Sequence, residues 1–148
     1  MSAVDTAWQA ALAAEHQAVF GFGLLGPQVA GTERALARAT QKAHGTLRDG
    51  TESAMAAAHL NPVAPLRDYP QLYPVPDAAA AARLAVRLED ACADAWRVLY
   101  LRAASQPGPH TRALRRAAQT GLTGSAIRGA RWRSRLDPAQ PAEAFPGL

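Results

Sequence analysis

Apolar positions along this chain recur at helical spacings in four long blocks, and a proline-rich stretch separates the first two blocks from the last two. In the first block Trp8, Leu12, Val19 and Phe22 draw one stripe of a helix predicted from Asp5 to Gly26. Asp5 is the expected N-cap, because a carboxylate accepts the free amide hydrogens of a first turn, and Pro27 and Gly31 close the pattern. The second helix is predicted from Thr32, the expected cap, to His59. Its inward line runs through Ala37, Gln41, His44, Leu47 or Arg48, Thr51, Met55 and Ala58. Asp77 caps a third, running to Ser105, with adjoining apolar stripes that include Leu84, Leu88 and Leu99 on one side and Ala93, Trp96 and Tyr100 on the other. The fourth spans Thr111 to Leu136, with Leu114, Ala118, Leu122, Ser125, Gly129 and Trp132 facing in.

Between Leu60 and Pro76 five prolines forbid a regular helix and favour extended geometry. At about 3.1 Å per residue this stretch reaches about 50 Å, more than the roughly 42 Å of a 28-residue helix. It can therefore run the length of a bundle and return the chain to the end where the second helix began. The prediction is an all-α four-helix bundle over residues 1–136 with one long crossover, followed by an irregular, proline-rich tail over 137–148 in which Phe145 packs on the bundle. Composition agrees: hydrophobic residues form 49% of the 148 and are dominated by alanine, the strongest helix former, and 19% are charged. Gly45 and Gly50 weaken the second helix by about 1 kcal/mol each relative to alanine.

Three polar residues interrupt the apolar stripes. Glu15 lies between Leu12 and Val19, His44 on the inward line of the second helix, and Glu89 beside Ala93 and Trp96. Each falls near the midpoint of its helix, and midpoints of packed antiparallel helices share one layer, so Glu15, Gln41, His44 and Glu89 are expected to converge. Buried charges need partners: a metal, mutual hydrogen bonds or water, with Arg48 as the expected closing cation.

The segment Ala14-Glu15-His16-Gln17-Ala18-Val19-Phe20-Gly21-Phe22-Gly23, with Ala43-His44, Arg48-Asp49, Leu88-Glu89-Asp90-Ala91 and Arg131-Trp132-Arg133, resembles a ferritin-like domain family of unknown function from high-GC bacteria. The resemblance covers nearly the whole chain. It implies a site descended from a carboxylate-bridged pair of metals, to which Glu15, His44 and Glu89 would be the matching ligands. Two departures accompany it. Gln41 stands where the bridging glutamate of the second helix belongs, and Gln119 to Ser125, at the expected depth of the fourth, contains neither acid nor histidine. A complete di-iron site within one chain is therefore not expected. The resulting expectation is a degenerate, metal-free centre without cofactor, in a non-enzymatic scaffold acting as a homodimer or through a protein partner or small ligand. The alternative is a mononuclear iron or manganese site on Glu15, His44 and Glu89 serving an oxidoreductase or iron-handling protein.

Other polar features carry less. His16 is expected to be half-exposed, His59 and His110 to sit at helix ends, and Tyr69 and Tyr73 to cover the bundle's flank. The fourth helix holds many arginines and no acid from His110 to Leu136, but no nucleic-acid-reading motif accompanies the net charge of +4, and a solvated or paired basic face is the reading. Cys92 is alone, so no intramolecular disulfide can form and a reducing, cytoplasmic setting is expected, with the thiol buried and inert. No stretch is apolar enough to cross a membrane, and no nucleophile–histidine–acid pattern or phosphate-cradling glycine loop occurs.

Overall fold

In the computed structural model, which describes residues 1–139, the four blocks are α1 (Ala3–Leu25), α2 (Gly31–Ala57), α3 (Ala78–Ala104) and α4 (Pro109–Leu136). Short 3₁₀ turns lie at Gly26–Gln28 and Pro70–Leu72, and no strand occurs among the described residues. The expected tail beyond residue 139, with Phe145, lies outside them.

The helix ends differ from expectation for local reasons. Ser2 caps α1, not Asp5: the Ser2 hydroxyl accepts from the Asp5 amide at 3.1 Å while the Asp5 carboxylate accepts from the Ser2 amide at 2.9 Å. This reciprocal capping box starts the helix a turn early and makes Asp5 its third residue. Thr32 does not cap α2; Ala30 occupies the cap without a side-chain bond, and Gly31, at φ +55°, turns the chain into the helix. At the other end His59 takes a left-handed φ of 59°. The amides of His59 and Leu60 then bond back to the carbonyls of Ala56 and Met55, at 3.0 and 2.9 Å. That closure stops α2 at Ala57, two residues short of the predicted end. Asp77 caps α3 as expected, accepting from Ala80 at 2.7 Å. Pro109, whose missing N–H is no loss at a helix start, begins α4 before Thr111.

Trp8 near the start of α1 meets His110 at the start of α4, and Phe22 near the end of α1 meets Trp132 near the end of α4. These two helices therefore run parallel, and α2 and α3 run the opposite way. The crossover makes this possible. It lies along α1 from Asn61, held by the Gln9 amide at 2.7 Å, through Val63, whose amide donates to Gln9 at 2.8 Å, to Gln71, which donates to Gln17 at 3.1 Å. Tyr69 is buried on Phe20 and Tyr73 lies half-exposed against the same ring, the flank-covering role expected of them. His16 is not half-exposed: the crossover buries it, and its Nε2 sits 2.9 Å from the Val63 carbonyl.

Helix α3 packs on both α1 and α4, and α2 packs on α1, whereas α2 and α4 face each other across a gap. The α3–α4 contact depends on glycine. A Cβ on Gly121 would stand 2.6 Å from the Trp96 ring, and Trp96 is fully buried. Gly121→Ala is accordingly expected to destabilise the fold by about 1–3 kcal/mol through overpacking, despite the better helix propensity of alanine. Gly45 behaves in the opposite way. Nothing lies within 4 Å of a Cβ there or at Gly50, so neither glycine serves close packing. Gly45→Ala is expected to raise stability by up to about 1 kcal/mol. Urea unfolding of the two variants tests the pair, and equal shifts of one sign would contradict it.

Candidate functional site

The central layer is assembled from all four helices. Glu15 comes from α1, His44 from α2 and Glu89 from α3, each on a core-facing stripe and each essentially inaccessible to solvent. His44 stands between the acids. Its Nδ1 donates to Glu15 Oε2 at 2.6 Å and its Nε2 to Glu89 Oε1 at 3.1 Å. Trp96, two turns along α3 from Glu89, donates its indole N–H to the other Glu15 oxygen at 2.7 Å. From α4, Arg128 donates Nε to Glu89 Oε1 at 3.0 Å and Nη2 to Ser125 Oγ at 3.3 Å. The ring of Phe22 stacks on His44 at 5.5 Å between centroids.

Burial alone would push the His44 pKa down. The hydrogen bonds and charges of Glu15 and Glu89 outweigh it and raise the value to about 9. The imidazole is thus an imidazolium at neutral pH, with both nitrogens donating. Imidazolium and guanidinium together balance two carboxylates, so the layer is neutral as a unit although it holds four ionic groups.

Glu15, His44 and Glu89 are brought together as the sequence indicated. Gln41 is not with them: it turns one level away and donates to the Val19 carbonyl at 3.0 Å. Arg48 does not close the charge, because it pairs with its neighbour Asp49 at 2.7 Å. The closing cation is Arg128, which sequence reasoning missed. Helical side chains lean toward the N-terminus, so a long residue serving the layer has its Cα beyond the layer's depth, and the window ending at Ser125 stopped one turn short. Trp96 was readable: a buried indole N–H needs an acceptor, and Trp96 shares a stripe with Glu89. Of the other α4 arginines, Arg133 reaches Asp90 at 2.6 Å, so part of the basic face is paired within the bundle.

The donor arrangement does not fit a metal. Both His44 nitrogens lie within hydrogen-bond distance of carboxylates, the two acids address opposite edges of the ring, and the Arg128 cation engages the same Glu89 oxygen that faces His44. A different trio gathers more tightly: one ligand atom each from Glu15, His44 and Cys92 lies within 4.8 Å of the others. Its thiol, however, is directed to the Ala14 carbonyl at 3.5 Å, and burial first, then the carboxylates of Glu15 and Glu89, hold its pKa well above the usual thiol value. Cys92 is therefore a buried, protonated thiol, as expected.

A family model described as a domain of unknown function (DUF4439) matches residues 7–148. The chain is also similar to the crystal structure of a conserved hypothetical protein, rv2844, from Mycobacterium tuberculosis, with a TM-score of 0.82 and 31% identity over 90% of this chain and 97% of that one. No curated protein matches. No helix among the described residues is long and apolar enough to cross a membrane.

Proposed function

Because the chain belongs to the family described as a domain of unknown function (DUF4439), we propose a role from geometry: a metal-free, ferritin-like scaffold that acts by holding a small ligand or partner and not by catalysis. The helix order and single long crossover support the ferritin-like assignment. The observation carrying the reading is Arg128, a cation inserted from α4 into the layer where a metal centre would require a donor. With His44 doubly protonated, the layer neutralises itself and needs no ion. Its role is to fix four helices in register around two buried carboxylates. A cytoplasmic setting suits the lone free thiol, and self-association through exposed apolar residues such as Leu101 belongs to the same reading.

Metal analysis of protein purified without chelator tests this. Less than a tenth of an equivalent of any transition metal is expected, on the order of adventitious contamination, with a melting temperature unmoved by chelator or added Mn(II). One equivalent of metal in the parent, absent from a Glu15→Ala/Glu89→Ala variant, would overturn the proposal. A second reading, an iron- or manganese-using oxidoreductase, is favoured by the gathering of Glu15, His44 and Cys92 and by the buried Glu89 Oε2, which has no hydrogen-bond partner among the described residues. It requires metal that disappears on Cys92→Ala.

A further inference from the structure

The gap between α2 and α4 is a groove of about 610 Å³, within the usual size of small-molecule sites. Its walls are largely alanine and glycine from the two helices, and Trp8, Trp96, Leu47 and Leu114 give it an apolar floor and sides. It follows α4 from His110 to Arg128, eighteen residues or about 27 Å. Beyond Ala43, Gly124 and Arg128 it continues into a smaller hollow that adds Thr40 and Arg131. The arginines collect at this end, whereas His110 stands at the other. Arg128 spends Nε on Glu89 and Nη2 on Ser125, which leaves N–H donors of a five-donor guanidinium uncommitted. Thr40 is only 1% exposed, and its buried hydroxyl has no partner among the described residues, a rare state for a buried polar atom. Among the described residues no carboxylate lines either part of the groove.

We infer that this groove binds a free long-chain carboxylic acid, with the acyl chain lying along α4 and the carboxylate held at Thr40, Arg128 and Arg131. The length and apolar walls fit an unbranched chain. The clustered cations and the unpartnered hydroxyl at one end fit a single anionic head. A second copy of this chain fits less well, because the lining offers those arginines no acid of its own to pair with. The inference rests on the metal-free reading above, since a metal in the central layer would release Arg128 from its present place beside Glu89.

The test is titration of the full-length, metal-analysed protein with palmitate below its micellar range, followed by tryptophan emission, because Trp8 and Trp96 border the groove. Saturable one-to-one binding is expected. Ala54→Phe and Ala117→Phe, each an exposed wall residue on opposite sides, should each abolish it while leaving the circular dichroism spectrum intact. Thr40→Val and Arg131→Gln should weaken palmitate by about ten-fold or more yet leave hexadecanol, which has no charge, unaffected. Absence of saturable binding to metal-free protein would overturn the inference while leaving the scaffold reading in place. So would palmitate binding undiminished in both phenylalanine variants, or a homodimer in sedimentation that those variants dissociate. Stoichiometric metal in the same preparation would instead sink the reading beneath it.

Discussion

His44→Leu is expected to destabilise the bundle by roughly 3–5 kcal/mol, the cost of stranding charge that has lost its buried partner. The substitution keeps side-chain volume close to that of histidine, so packing contributes little of the loss. It leaves Glu15 and Glu89 buried with one cation, Arg128, that touches only Glu89. Glu15 would retain only the indole of Trp96. Removing an opposite charge together with the histidine should reverse much of the damage. Glu15→Leu/His44→Leu/Trp96→Phe deletes one anion, one cation and the donor that would otherwise be orphaned, and preserves the Glu89–Arg128 pair. This triple variant is expected to be more stable than His44→Leu alone, since well-packed apolar replacements of buried ion pairs are often neutral or favourable. Urea unfolding monitored by circular dichroism gives both values. A triple variant less stable than the single one would show that the ionic layer is not the unit described above.

Stability should also fall as the solution becomes alkaline, through the same histidine. The folded pKa of His44 is about 9 and its ordinary value 6.5, so across this interval the folded chain holds a proton that the unfolded chain has released. Fewer protons bound in the unfolded state makes the slope of unfolding free energy against pH negative. The contribution is therefore complete below pH 6.5 and is lost as pH rises through 9, on the order of 3 kcal/mol in total. Urea midpoints measured from pH 6 to pH 10 should decline over this range and level off above it. In Glu15→Leu/His44→Leu/Trp96→Phe the decline should vanish. A wild-type profile as flat as that of the triple variant would contradict an imidazolium at this position.

Residue periodicity made the helices and the central acids legible because both follow from one rule, that a stripe facing the core repeats near every 3.6 residues. Glu15, His44 and Glu89 were visible as violations of that rule, and each is buried where its stripe put it. The partners of those residues were harder to see, because hydrogen bonding depends on reach and direction. Arg48 shares the inward edge of α2 by spacing, but Asp49 is adjacent and captures it. Arg128 sits off the inward stripe of α4, and only its length brings the guanidinium to Glu89. Helix starts failed for a related reason. Ser2 and Asp5 are both good caps, and the choice between them was made by the reciprocal bonds that only Ser2 allows. His16 could not be placed from its own helix, because what buries it is the crossover some 47 residues away.

The unequal fastening of α2 has a consequence for how the molecule comes apart. Helix α3 is gripped on two sides, but α2 lies mainly against α1, joining the core through Ala37, Met55 and the imidazolium of His44. A fluctuation that lifts α2 away must withdraw that cation from both carboxylates, leaving Glu15 to the Trp96 indole and Glu89 to Arg128. Breathing of this bundle thus requires charge separation as well as the parting of apolar surfaces. The opening side is the one that faces the groove.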